Sequence, residues 1–167
     1  VIFNINTYNN SDYLASLQNI EVFSNNILLK KVELTYEFPN NFLNDYLPTA
    51  PASRFFLNKV EINKSILNIE GKYETYKFEY DNIGLMPVRF SPKQDVLGYF
   101  NNKNNQTTIP KHPYFQNSTS SSFGDLNPDF DFAKRGSLTK VVYPTKGYST
   151  FEYEPTKARE KKLKTYQ

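Results

Sequence analysis

The sequence contains no cysteine and no tryptophan, and it has one methionine and one histidine. Without cysteine there is no disulfide framework and no thiolate metal site, and the usual clue to redox compartment is missing. The single histidine, His112, stands between Lys111 and Pro113 in a loop-forming stretch. A Ser-His-Asp triad is assembled in space and not in sequence, but nothing around His112 has the look of a nucleophile elbow. Phosphate-binding loops are missing too: Glu70-Gly71-Lys72-Tyr73-Glu74 lacks the rest of such a motif. No apolar run approaches the roughly 18 residues that a membrane-spanning helix requires, and the start shows no basic, apolar and small-residue succession of a signal peptide. Charge of one sign is also lacking. The 20 basic and 17 acidic residues leave a net charge of +3, with Lys dispersed among Glu and Asp, which excludes a nucleic-acid footprint.

What is abundant is Phe and Tyr, 14 and 13 of them in 167 residues. These side chains suit a pleated, half-buried surface, and period-two alternation runs through the chain. Residues 13–23 and 26–38 read as two strands, with Val32, Leu34 and Tyr36 on one face and a turn at Ser24-Asn25-Asn26, since Asn tolerates positive φ. Residues 55–65 set Leu57, Lys59 and Glu61 against Asn58, Val60 and Ile62, and residues 73–81 put Tyr76, Phe78 and Tyr80 on one side. Residues 134–154 read as two more strands around Pro144-Thr145-Lys146-Gly147.

Aligned, the pairs share a pattern. Leu17-x-x-Ile20-x-Val22 leads to Leu34-Thr35-Tyr36, Leu57-x-x-Val60-x-Ile62 to Phe78-Glu79-Tyr80, and Leu138-x-x-Val141-x-Tyr143 to Phe151-Glu152-Tyr153. Arg54 and Arg135 precede their leucines by three residues, and Lys59 and Lys140 follow by two. A Tyr- and Phe-rich sheet yields such endings by chance as well; the joint recurrence of the Arg-x-x-Leu-x-Lys start and the Phe-Glu-Tyr end counts against chance. The expected fold is all-β, a repeat-like sheet of stacked antiparallel hairpins with polar loop insertions. Hairpin units fall at 1–38, 54–81 and 135–155, a Pro-rich insertion at 39–53, a polar loop-rich insertion at 82–134, and a basic connection or tail at 156–167. Each unit buries its apolar face only against neighbours.

The order of these blocks resembles a segment of the large YD-repeat, RHS-like proteins of Bacteroidetes-type bacteria. The resemblance rests on Gln94, Asp95, Gly98, Tyr99 and Asn101, then on Gly136, Leu138, Val141, Tyr143, Pro144, Thr145, Gly147, Thr150, Phe151, Tyr153 and Glu154. It covers most of residues 54–155, with Lys146 in place of a turn glycine and Leu97 where an aromatic residue is common. The resemblance implies a structural wall segment of a large secreted or outer-membrane-surface protein, in some relatives a shell around a toxin or passenger, with Gln94, Asp95, Gly98, Tyr143, Pro144, Gly147, Phe151 and Tyr153 as structural motif residues. The expected partners are adjoining parts of the same long chain or another surface protein. The start at Val1 and the end at Gln167 after a charged run read as a processed product or a segment of a longer chain.

Two further readings compete. A recognition module for glycan or protein would use Tyr99, Phe100, Asn101, Tyr114 and Phe115 as stacking and hydrogen-bonding contacts. Asp125, Asn127, Asp129 and Asp131 are spaced as oxygen ligands of calcium are, but Phe130 and Gly136 stand where an EF-hand loop needs Gly and Glu, and the expectation is a surface turn with no metal and no cofactor. A hydrolase would draw on paired carboxylates such as Glu152 and Glu154; strand-face carboxylates are ordinarily solvated, and the expectation is a non-catalytic chain.

Overall fold

The computed structural model describes residues 1–7, 15–37, 39, 54–63, 74–110 and 123–156. Seven strands form one antiparallel sheet in sequence order: β1 (Ile2–Thr7), β2 (Ala15–Ser24), β3 (Ile27–Glu37), β4 (Phe56–Asn63), β5 (Glu74–Tyr80), β6 (Leu138–Val142) and β7 (Tyr148–Thr150). The sheet is open, with β1 and β7 as its edges. The helical structure described is limited to a 3₁₀ turn at Ile83–Leu85 and a single helical turn at Phe130–Ala133. The all-β hairpin architecture expected from the alternation is the one observed.

The turns form where the backbone chemistry allows them. Asn25 and Asn26 both have positive φ, 47° and 62°, the requirement of a two-residue type I′ hairpin turn. At the β6–β7 turn the Tyr143 amide donates to Gly147 O at 2.8 Å and the Lys146 amide to Tyr143 O at 2.9 Å. Lys146 takes φ 68° there, a left-handed conformation that costs an L-residue about 1–2 kcal/mol.

The three units superpose in register. Asn19 pairs with Glu33, Lys59 with Lys77 and Lys140 with Thr150, so in every hairpin the residue two past the leucine faces the residue three before the tyrosine. The ladders between units repeat as well. Tyr36 pairs with Leu57 and Thr35 with Lys59; Tyr80 pairs with Leu138 and Glu79 with Lys140. In each case the residue after the leucine, Asn58 or Thr139, is skipped as a β-bulge. β1 enters the same scheme, pairing Ile5 with Leu17 and Asn4 with Asn19 and skipping Gln18.

These bulges explain the Leu-x-x-[Ile/Val] spacing. A bulge adds one residue to one strand and so resets the alternation. Leu57 therefore shares a face with Val60 and Ile62 and not, as strict alternation suggests, with Lys59 and Glu61. Cross-strand partners share a face, so the pairings collect Phe3, Ile5, Leu17, Ile20, Val32, Leu34, Tyr36, Leu57, Val60, Tyr76, Phe78, Tyr80, Leu138 and Val141 on one side. Lys30 opposite Val22 and Glu74 opposite Ile62 end this apolar stripe towards the hairpin turns. The other side carries ion pairs: Lys31 with Glu33 at 2.7 Å, Lys59 with Glu61 at 2.8 Å and Lys140 with Glu79 at 3.0 Å.

A second feature recurs with the bulge. The hydroxyl of the terminal tyrosine donates to the carbonyl of its own unit's leucine: Tyr36 to Leu17 O at 3.0 Å, Tyr80 to Leu57 O at 2.8 Å and Tyr153 to Leu138 O at 2.8 Å. The phenol reaches back across the hairpin at the bulge, where the regular ladder is interrupted.

A single-layer sheet has little interior. Among the described residues the buried hydrophobic core is Val88 alone, which lies outside the sheet, while the sheet's apolar residues remain half-buried or exposed.

The tyrosine clamp is testable. Tyr80→Phe should lower stability by about 1 kcal/mol, the usual net value of such a bond, read from the denaturant midpoint at unchanged slope. Burial raises the Tyr80 phenol above its ordinary value. Above a pH of about 10 the unfolded chain therefore loses its proton first, and stability should fall with rising pH until the folded phenol ionises too. Tyr80→Phe should reduce that alkaline loss.

Candidate functional site

Both inter-unit connections, β3 to β4 and β5 to β6, leave from the tyrosine end of the sheet. The Pro-rich insertion of the first lies largely outside the described residues. The second carries the block singled out in the sequence, and the repeated arginines tie its described start to the sheet. Arg54 donates to Pro87 O at 2.8 Å and Arg135 to Leu85 O at 3.4 Å; Arg135 also lies 4.1 Å from the centroid of the Phe132 ring. Burial, with the like charge of Arg89 next, lowers the Arg54 pKa from its ordinary value. Gly136 closes the loop with φ 76°, its amide donating to Asp81 O at 2.7 Å. A Cβ there would press on Phe56 and Met86 at 3.3 to 3.4 Å.

Among the described residues of the insertion, the buried side chains other than Val88 are polar: Ser91, Asp95, Asn101 and Asn105. Each of the last three does the work of a missing backbone ladder. Asp95 Oδ1 accepts from the amides of Leu97 at 2.8 Å and Tyr99 at 2.9 Å, and its own amide donates to Tyr99 O at 2.8 Å. Gly98 sits in this turn at φ 88° and donates to Asp95 O at 3.1 Å. Gln94 bridges Phe100 across it. Asn101, 1% exposed, donates through Nδ2 to Asp125 O at 2.9 Å and Asn127 O at 3.1 Å, and its Oδ1 accepts from the Lys103 amide at 3.2 Å. Asn105 pairs with Asp125 as a second backbone would, donating to its O at 3.0 Å and accepting from its N at 2.8 Å. A side-chain amide has the donor and acceptor of a peptide group, so two asparagines stitch together loops that share little regular pairing.

This places the candidate contact residues. Asn101 is interior and occupied by backbone carbonyls. Phe100 is half-buried, edge-on to Phe132 at 5.5 Å. Tyr99 is exposed, beside the exposed Val96 and Leu97. Tyr114 and Phe115 lie outside the described residues, as does His112, so the four-aromatic cluster is not assembled from described positions.

The calcium candidates have local partners. Asp125 Oδ1 accepts from the Asn127 amide at 3.0 Å and Asn127 Nδ2 at 2.8 Å. Asp129 caps the single helical turn by accepting from the Asp131 amide, and Asp131 pairs with Lys134 at 3.0 Å. Among the described residues no group of three His, Cys, Asp or Glu is placed to hold a metal ion. Glu152 and Glu154 are exposed in the segment beyond β7.

The feature that residue-type reasoning missed is the edge after β7. Phe151, Glu152 and Tyr153 occupy the positions that pair with the next unit in the first two units, yet no described strand pairs with them. Phe151 and Tyr153 are 42% and 46% exposed, whereas Phe78 and Tyr80 are half-buried. Only the repeat alignment, not any single motif, could have pointed to it.

Comparison of the chain with protein-family models, with curated proteins and with solved structures finds no match.

The reading of Asn101 as interior support gives a measurable contrast. Asn101→Ala removes the buried amide that donates to Asn127 O and shares Asp125 O with Asn105, and should cost about 1–3 kcal/mol in chemical denaturation, while Tyr99→Ala should stay within about 0.5 kcal/mol of the parent. A neutral Asn101→Ala would mean that the amide does not support the loop.

Proposed function

We infer that the chain is a non-catalytic structural segment of a larger secreted or cell-surface protein, a β-repeat wall of the YD-repeat, RHS-like kind. The observation that carries this reading is the equivalence of the three units. Register, bulge and tyrosine clamp recur together, which is how a chain extends a sheet by addition. A single layer with one apolar face leaves large surfaces for neighbours to cover, and adjoining parts of the same long chain, or another surface protein, are the partners that fit. The polar residues that stood out as candidate ligands hold loop backbone together, which supports a structural and not a catalytic role. Among the described residues no helix is long and apolar enough to cross a membrane.

One observation favours the second reading, a recognition module. Val96, Leu97 and Tyr99 form an exposed apolar tip on the pinned insertion, suited to a protein contact; the interior place of Asn101 argues against glycan recognition through that amide.

The wall reading predicts that residues 1–167 produced alone bind a hydrophobic dye and associate with rising concentration in sedimentation velocity. Val60→Lys, on the apolar face, should reduce both. A monodisperse chain without dye binding would overturn it.

A further inference from the structure

We propose that the outer edge of the segment after β7 is a docking edge for one class of strand, Arg-x-x-Leu-x-Lys-[Val/Ile], taken up antiparallel with its leucine opposite Tyr153 and its lysine opposite Glu152. The proposal rests on the wall reading and names the partner of its open end. The occupant is the first strand of a further unit of this repeat.

The assignment follows from continuity with the two inter-unit ladders. In both, the tyrosine faces a leucine and the residue before it faces the residue two further on. That second position holds a matched pair where side chains meet: Glu79 with Lys140 at 3.0 Å, and, at β1, Asn4 with Asn19 at 2.6 Å. Glu152 repeats Glu79, and its expected partner is a lysine. The edge is set before any strand arrives, because Tyr153 already donates to Leu138 O at 2.8 Å and the Phe151 amide to Thr139 O at 2.9 Å. β7 ends at Thr150, whereas β3 and β5 run on to or past their tyrosines, since there the next unit supplies the outer ladder. An edge that no described strand pairs with, carrying a repeated side-chain code, is the arrangement that strand addition uses.

A second copy of this chain does not fit the edge end to end. In an antiparallel sheet of seven consecutive strands, β1 and β7 run in the same direction, so β1 of another copy laid on β7 by translation would pair parallel. The leucine strands β2, β4 and β6 are covered on both sides within each copy.

The test uses the full chain and a labelled synthetic peptide of the Lys134–Tyr143 sequence. Backbone amide resonances of residues 151–153 should move on titration while those of β1 stay in place. A peptide with Lys140→Glu should bind about fivefold more weakly, as an opposed charge pair on a sheet allows, and the exposed-site variant Glu152→Lys should reverse that preference. Moving the leucine by one residue should abolish binding, because the bulge no longer falls beside the tyrosine. No binding, binding blind to the lysine's sign, or shifts confined to β1 or the apolar face would overturn the proposal. A self-associating chain that ignores the peptide would overturn the edge assignment and leave the wall reading standing. A monodisperse chain without dye binding that takes the peptide at residues 151–153 would support the edge and remove the wall reading.

Discussion

The organisation of this protein depends on one local constraint, the β-bulge beside each unit's leucine and the tyrosine hydroxyl that reaches its carbonyl. A bulge interrupts the ladder and adds twist, and unpaired peptide groups carry a cost unless something satisfies them. Tyr36, Tyr80 and Tyr153 meet that need identically, at 3.0, 2.8 and 2.8 Å. Because the tyrosine closes its own hairpin and also pairs with the next leucine, one residue couples the inside of a unit to the unit that follows. Repetition of the sheet follows from repetition of that residue.

The sequence pattern revealed this architecture unevenly, for physical reasons. The hairpins were legible because period two and the Asn25-Asn26 turn are local signals. The units were legible as Leu-x-x-[Ile/Val] followed by a Tyr ending, but the spacing of three was not recognisable as a bulge, so Leu57 was placed on the wrong face. Strict alternation cannot register a skipped residue whose evidence lies on the partner strand. The insertion was legible as polar turns, with Asp95 and Gly98 acting as turn residues of that kind do. Asn101 illustrates the opposite case. An Asn in an Asn-rich loop carries no mark of burial, and its partners, the carbonyls of Asp125 and Asn127, lie 24 and 26 residues away.

The two arginines connect sheet and insertion. Arg54 and Arg135 stand at equivalent places before their leucines, and both reach backbone carbonyls of the same short stretch, Pro87 and Leu85. A loop of polar residues could not hold a position on hydrophobic burial alone. Here charged donors anchor it at one end, Gly136 allows close approach at the other, and buried amides organise the middle. The described part of the insertion is thus tied to one end of the sheet, and its exposed residues Val96, Leu97 and Tyr99 are carried on that scaffold.

If adjacency between units is the source of stability, protection must be graded along the sheet, as in chains whose repeats contact only their neighbours. Native-state amide hydrogen exchange of residues 1–167 tests this most directly. The account predicts the slowest exchange in β3, β4 and β5, with neighbours on both sides, and falling protection towards β1 and β7. A single exchange free energy shared by all seven strands would contradict it, since that would mark one cooperative domain.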